Sequence, residues 1–394
     1  MNAKPGIVVP LRRIRARRKS RPGAAAVRVK IKSAPRQPWT AWVKPHVRKL
    51  SAYQPEPPGP AIRLDANESA FDVPRALKEE IWERFVNRDW NRYPDPDSRA
   101  LRQALAAAER VSSEQLLVGN GSDELIRDLL VCFGGPGTRT VVPAPTFSMY
   151  AVLAHALGGT VASVPLRPDW SLDLPSLLAA LRHADARILF LATPNTPTGR
   201  SVPLAQIEQV LQATDRLVGV DQAYQLFADP EDGAVTPLIK TYPHVAVLGT
   251  FSKAWSLAGL RVGYLIARPE LIATVNRVRL PFNLDAFAQT AAETALRHPE
   301  VWQGQARLIA AERERIARVL SGFPGLQVFP SQANFLLVKM ARAAKVKARL
   351  AERDLAVRGF DGEPALANCL RISIGRPEEN DALLRQLALV FGKG

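Results

Sequence analysis

The stretch Val118-Gly119-Asn120-Gly121-Ser122-Asp123-Glu124-Leu125-Ile126 ends an apolar run, bends the chain at two glycines and opens a helix. Leu125, Ile126, Leu129 and Leu130 recur at helical spacing, so a strand feeds a helix through a glycine turn. Such a helix start offers free backbone N–H groups and the positive end of the dipole, which suits a phosphate; alone, it suits an ordinary capped loop equally well. Outward from this turn, short apolar runs at 140–142, 160–164, 188–192, 217–220, 245–248 and 262–267 are separated mainly by helix-length segments. That alternation predicts an α/β domain, a mostly parallel sheet covered by helices on both faces.

On the N-terminal side, 62–65 reads as a short strand, and helical patterns at 74–87 and 98–108 flank the turn Tyr93-Pro94-Asp95-Pro96. On the C-terminal side, 284–320 reads as helices, with Glu312, Arg313, Glu314 and Arg315 on a solvated face. A smaller α+β unit follows, with strands at 327–329, 335–339, 356–358 and 370–374 and helices at 343–353 and 378–391. The expected organisation is a basic arm (1–40), an N-terminal segment contributing to the small domain (41–85), a large domain (86–283), and a helical connection with the C-terminal small domain (284–394).

The chain has 394 residues, 47% hydrophobic and 23% charged, which excludes disordered, collagenous and disulfide-stapled classes. The net charge of +16 sits mostly in the arm: residues 1–40 hold 12 Lys or Arg and no acid, leaving 41 basic against 37 acidic residues elsewhere. The arm reads three ways, as an extension from an upstream start codon, as a passive solvated tail, or as a tether for nucleic acid or another acidic surface. Pro55, Pro57, Pro58 and Pro60 read as a stiff connector after it. Cys132 and Cys369 lie in apolar stretches, so a reducing, cytoplasmic setting is expected. No apolar run approaches the roughly 18 residues of a membrane span. The histidines at 46, 155, 183, 244 and 298 share no ligand spacing, and no metal site is expected.

Parallel sheets bind ligands at the carboxyl ends of their strands. After the 188–192 run comes Thr193-Pro194-Asn195-Thr196-Pro197-Thr198-Gly199; after 217–220 come Asp221, Ala223 and Tyr224; after 245–248 come Thr250-Phe251-Ser252-Lys253 and then Leu257-Ala258-Gly259-Leu260-Arg261. Singly, these are a turn, a capping acid and a surface lysine. Together with the phosphate turn they are the inventory for holding a phosphorylated pyridine aldehyde. The lysine amine joins the aldehyde carbon, the carboxylate keeps the pyridine nitrogen protonated, and Asn and Tyr hydrogen-bond the phenolic oxygen.

Asp65-Ala66-Asn67-Glu68, Tyr93 to Pro96, Gly119 to Glu124, Pro145-Thr146-Phe147-Ser148-Met149-Tyr150, Pro194 to Gly199, Ser252-Lys253-Ala254 and Leu257 to Gly263 occur in the order found in the histidinol-phosphate aminotransferases. The chain resembles that family, fold-type I pyridoxal-phosphate transferases, over roughly residues 43–391. The resemblance implies that Lys253 is catalytic and carries the cofactor, pyridoxal 5'-phosphate. Backbone groups of Ser122 and Asp123, with Ser252 and Arg261, would hold its phosphate; Phe147 would stack on the ring, and Asn195, Asp221 and Tyr224 would bind ring substituents. It also implies a homodimer in which Tyr93 reaches the neighbouring subunit's phosphate. Arg371, inside an apolar strand, would bind the carboxylate of glutamate, although a snorkelling edge arginine fits the residues too. Arg358 would bind the phosphate of the second substrate, although it also reads as a solvated strand end.

Four positions depart from the family pattern: Phe147 for Tyr, Thr196 for the second Asn of Asn-Asn-Pro-Thr-Gly, Gln222 for Glu, and Gly249 for an Arg. The expected reaction moves the amino group of L-glutamate to imidazole-acetol phosphate, giving L-histidinol phosphate in histidine biosynthesis. An aromatic amino acid aminotransferase on the same scaffold is the alternative. A cofactor-binding sensor with a nucleic-acid arm is the remote one, because about 40 residues without amphipathic helix pairs do not form a helix-turn-helix.

Overall fold

Apolar runs such as Ile188 to Ala192 lack alternation because both of their faces are covered, and each becomes a strand that ends where polar residues begin. The structure, a computed structural model, describes residues 39–52, 60–229 and 234–391. The arm to residue 38 and the Pro55 to Pro58 connector lie outside the described residues. The chain divides at Val43, and the described part of the first unit is a 3-10 turn, Trp39–Trp42.

In the second unit, among the described residues, twelve strands make two sheets. Strand β1 (Ile62–Leu64) precedes β2 (Leu116–Asn120), β3 (Arg139–Ala144), β4 (Thr160–Pro165), β5 (Ala186–Ala192), β6 (Leu217–Asp221), β7 (Val245–Thr250) and β8 (Val262–Ile266). Strands β2 to β8 form the larger sheet in the order β2-β8-β7-β6-β5-β3-β4. The pairs β3–β4, β3–β5, β5–β6 and β6–β7 are parallel; β8 runs antiparallel to both β2 and β7. Its reversal places the start of β8, not its end, beside the carboxyl ends of β2 and β7.

The register then sets one functional edge. Ala192 pairs with Asp221, Asp221 with Leu248, Thr250 with Gly263, and Val262 with Asn120. Residues scattered from 120 to 263 thus leave the sheet side by side. The helix Ser122–Phe133 is pinned beneath this edge by Leu125, Ile126, Leu129 and Leu130, all fully buried. At about 1.5–3 kcal/mol for each such side chain, the helix N-terminus is held firmly where the turn delivers it.

The smaller sheet contains β9 (Leu326–Val328), β10 (Phe335–Met340), β11 (Leu355–Gly359) and β12 (Cys369–Ser373), in the order β1-β11-β12-β10-β9. Strand β1, from the N-terminal part of the chain, pairs parallel to β11. Leu64, Phe335, Leu336, Val338, Ile372 and Leu383 share its core. One expectation fails on the helix Pro299–Ser321. Arg313 is not on a solvated face: its side chain is 4% exposed, and Nη1 donates to the carbonyls of Phe227 and Ala333 at 3.0 and 3.1 Å. These buried carbonyls need a donor, and a long side chain from a neighbouring helix supplies it. Glu314 and Arg315 do stay in contact with solvent.

Candidate active site

At the carboxyl edge, the Gly121 turn and the start of β8 lie against each other. Gly121 has φ +75°, and a Cβ there would stand 2.5 Å from Arg261 Nη2; a Cβ on Gly263 would stand 2.3 Å from the Ser122 nitrogen. Only glycine lets the two segments approach this closely. The Gly121 N–H donates to the Arg261 carbonyl at 2.8 Å. Arg261 Nη2 donates to Asp123 Oδ2 at 3.1 Å and Nη1 to Ser252 Oγ at 3.3 Å. A guanidinium, a hydroxyl and the opening turn of a helix therefore share one corner, an anion site in charge and donor geometry.

The cavity is also lined by an acid and by aromatic rings. Asp221 is 6% exposed, and it accepts hydrogen bonds from the Tyr150 hydroxyl at 2.8 Å and the Ala223 N–H at 3.0 Å. Burial pushes its carboxyl up to about 6, against the pull of those two donors. Phe147 sits edge-on to Tyr150 at 5.4 Å, and Tyr150 stacks on Phe190 at 4.8 Å. Lys253, which lines the same cavity, has its Nζ 5.8 Å from the centroid of the Tyr224 ring and donates to the Ala66 carbonyl at 3.3 Å.

Ser122, Asp123, Phe147, Asp221, Tyr224, Ser252, Lys253 and Arg261 line this one cavity, with Tyr150 and Thr196. Residues 60–387 match the family model for aminotransferase class I and II. The chain belongs to this family. It is similar to histidinol-phosphate aminotransferase 2 of Nitrosococcus oceani, 38% identical over 88% of this chain and 96% of that protein. Its fold resembles the crystal structure of histidinol-phosphate aminotransferase from Sinorhizobium meliloti in complex with pyridoxal-5'-phosphate, with TM-score 0.81, 28% identity, and coverage of 89% and 97%. L-threonine-O-3-phosphate decarboxylase from Porphyromonas gingivalis shares the fold, with TM-score 0.75, 24% identity, and coverage of 84% and 99%.

In this aminotransferase, four of the residues singled out from the sequence lie outside the cavity lining. Asn195 is one. Its Nδ2 donates to the Pro145 carbonyl at 3.0 Å and to Thr198 Oγ1 at 2.9 Å, and its Oδ1 accepts from Thr146 at 2.6 Å, so the amide is spent on shaping the loop. The next residue, Thr196, faces the cavity instead. Tyr93 is 80% exposed and stacks on Phe282 with centroids 4.4 Å apart. Arg371 reaches the cavity wall indirectly: Nη1 donates to Thr196 Oγ1 at 3.1 Å and Nη2 to the Asp65 carbonyl at 2.7 Å. Arg358 stands directly opposite Arg371 across β11 and β12.

Three contributors were not assigned from the sequence. Tyr150 is one, although its spacing of three from Phe147 on the same turn was a usable signal. The second is Asn67, fully buried at φ +53°, which donates to the Tyr224 hydroxyl at 3.0 Å and accepts from Ser373. The third is the Ala66 carbonyl, which no side-chain pattern can reveal. Among the described residues no helix is long and apolar enough to cross a membrane, and no group of three or more His, Cys, Asp or Glu is placed to hold a metal ion.

Proposed function

We propose that this aminotransferase uses pyridoxal 5'-phosphate to transfer the amino group of L-glutamate to imidazole-acetol phosphate, giving 2-oxoglutarate and L-histidinol phosphate. The observation that carries the substrate reading is the in-register pair Arg358 and Arg371. Arg371 Nη1 donates to Thr196, which lines the cavity, and Arg358 is its in-register neighbour, so the small sheet presents two arginines beside the site. One arginine for a carboxylate and one for a phosphate matches an amino donor and a phosphorylated acceptor. The names of the similar proteins point the same way.

The cavity fits the cofactor. Its phosphate would take the Ser122 and Asp123 N–H groups with Ser252 and Arg261, where Gly121 and Gly263 leave no room for a Cβ. Asp221, a buried carboxyl raised to about 6, lacks a cationic neighbour strong enough to offset its burial, and a protonated ring nitrogen would supply one. Phe147 would cover the ring face, and Tyr224 and Thr196 would border its oxygen. Bound there, the cofactor supplies an aldehyde to carry the amino group and a ring to draw electrons from the substrate. Lys253 Nζ would take the proton from the substrate's α-carbon and return it two atoms away, across the amino nitrogen, to the carbon of the former aldehyde, with the Ala66 carbonyl as its resting acceptor. Arg371 would fix the carboxylate of glutamate so that this α-proton faces the lysine.

The same proposal includes a homodimer in which the exposed Tyr93 would reach a partner's phosphate, the division into 41–85, 86–283 and 284–394 described from the sequence, and a cytoplasmic location. A transamination panel on the purified protein with added cofactor tests it. Imidazole-acetol phosphate is expected to be the preferred acceptor from glutamate; a preference for phenylpyruvate replaces the reading with an aromatic aminotransferase.

A further inference from the structure

The loop 277–285, between the helices Pro269–Asn276 and Ala286–Arg297, touches two separate parts of the molecule at once. Toward the phosphate turn, Asn283 Nδ2 donates to Glu124 Oε2 at 2.7 Å and to the Val118 carbonyl at 3.2 Å, and the Asn283 carbonyl accepts from Asn120 Nδ2 at 3.2 Å. Glu124 Oε2 also accepts the Asn120 N–H at 2.5 Å. Glu124 sits in the first turn of the helix whose N-terminus faces the cavity. A carboxylate at that place competes with an incoming phosphate for the free helical N–H groups unless it is held elsewhere. Asn283 and the Asn120 N–H hold its Oε2, and Arg127 Nη2 lies 3.6 Å from Oε1.

Toward the Tyr93 turn, Arg279, with a side chain only 9% exposed, donates from Nη1 to the Pro96 carbonyl at 2.8 Å and to Asn283 Oδ1 at 2.9 Å, while Nη2 lies 3.6 Å from Asp97. Phe282, in the left-handed region at φ +55°, stacks on Tyr93. A bulky residue adopts that backbone only where its surroundings fix it. One guanidinium nitrogen therefore joins the Tyr93 turn to the amide that controls Glu124.

We propose that Arg279 and Asn283 are positioning residues for the cofactor phosphate: they keep Glu124 away from the helix N-terminus and set the Tyr93 turn relative to the phosphate turn, so that the phosphate contacts made within a subunit and those offered to its partner are fixed by one bridge. This rests on the reading of the Ser122 turn as the phosphate site and of Tyr93 as the partner's contribution.

The test compares binding of pyridoxal 5'-phosphate with binding of pyridoxal, which lacks the phosphate, to the full-length apoprotein, followed by tryptophan fluorescence and visible absorbance. Losing charge-assisted hydrogen bonds predicts a fall in affinity for the phosphorylated form of about 10- to 100-fold in Arg279→Met, with pyridoxal changed less than about threefold. Asn283→Asp sets a second carboxylate against Glu124 and is expected to show the same selective loss, which covers the case in which Arg279→Met does not fold. The double variant Tyr93→Phe/Arg279→Met should bind no more weakly than Arg279→Met alone. Equal losses for both ligands, or no loss for either, overturn the proposal, as does strict additivity of Arg279→Met with both Tyr93→Phe and Asn283→Asp. If the unsubstituted protein itself binds the two ligands equally, the phosphate site is misread and the proposal falls with it. A monomer by light scattering with an unaffected Tyr93→Phe removes the dimer reading, and the proposal then fails in its claim on the partner's phosphate.

Discussion

Asp221→Asn separates the chemistry of the site from the stability of the chain. Burial lifts the Asp221 carboxyl from 3.8 to about 6, and at about 1.4 kcal/mol per pH unit the charged form carries a penalty of about 3 kcal/mol in the cofactor-free protein. The sign follows from proton binding. Between about pH 4 and 6 the folded chain holds a proton that the unfolded chain has released, so this group's contribution to stability is complete below pH 4 and is lost as pH rises through 6. Asparagine keeps the shape, with Oδ1 placed to accept the Ala223 N–H and Nδ2 to donate to the Tyr150 hydroxyl oxygen. The variant apoprotein should therefore equal the original near pH 4 and be more stable at pH 8, by at most about 3 kcal/mol, while its affinity for pyridoxal 5'-phosphate falls because the ring nitrogen loses its counter-charge. The assay is the difference in apparent melting temperature between the two apoproteins from pH 4.5 to 8, at roughly 2 °C per kcal/mol, with cofactor titration at pH 8. A variant less stable than the original at pH 8, or a difference that does not change with pH, refutes the argument that this carboxylate is buried at a penalty that a cationic ligand relieves.

Lys253→Ala should abolish transamination, while fluorescence titration still detects cofactor held by its phosphate and ring contacts. Arg358→Ala should lower kcat/KM for the phosphorylated substrate about 10- to 100-fold with little effect on glutamate, and Arg371→Ala should do the reverse, as stopped-flow half-reactions would report. Gln222→Glu should change turnover far less than Asp221→Asn, because among the described residues the Gln222 side chain bonds to Gln225 and the Val235 N–H and does not line the cavity. Gly263→Ala should prevent cofactor binding, measured by absorbance, since its Cβ would collide with the Ser122 backbone.

The legibility of the site follows from its topology. Strand ends announce themselves in a parallel sheet, because an apolar run covered on both faces must stop where the chain reaches the edge. Asp221, Thr250 and Asn120 end strands where the apolar runs stop, and Lys253 and the Gly121 turn follow directly after two of those ends. What could not be read was which of two adjacent loop residues faces inward. In Asn195-Thr196 both side chains are small and polar, and the choice is made by Pro145 and Thr198, whose groups capture the Asn195 amide. Arg313 was misplaced for a related reason: a helix rich in charge looks solvated until the chain shows which carbonyls elsewhere need a donor.

Two departures from the family pattern make sense only together. The resemblance expects Glu at 222 and Arg at 249, and the fold makes these positions neighbours, because Asp221 pairs with Leu248 and the Gln222 N–H donates to the Leu248 carbonyl. Removing one member of a buried ion pair strands a charge, whereas replacing both by neutral, well-packed groups is often neutral or stabilising. Here both are neutral. Gln222 spends its amide on Gln225 and the Val235 N–H. At Gly249 a Cβ would stand 2.2 Å from Tyr264 Cζ, so the space is filled by the Tyr264 ring, whose hydroxyl donates to Glu109 at 2.7 Å. The Tyr264 ring thus takes the space beside Gly249, to which it is paired across β7 and β8, and the edge of β6 and β7, where Asp221 and Lys253 emerge, keeps its backbone register.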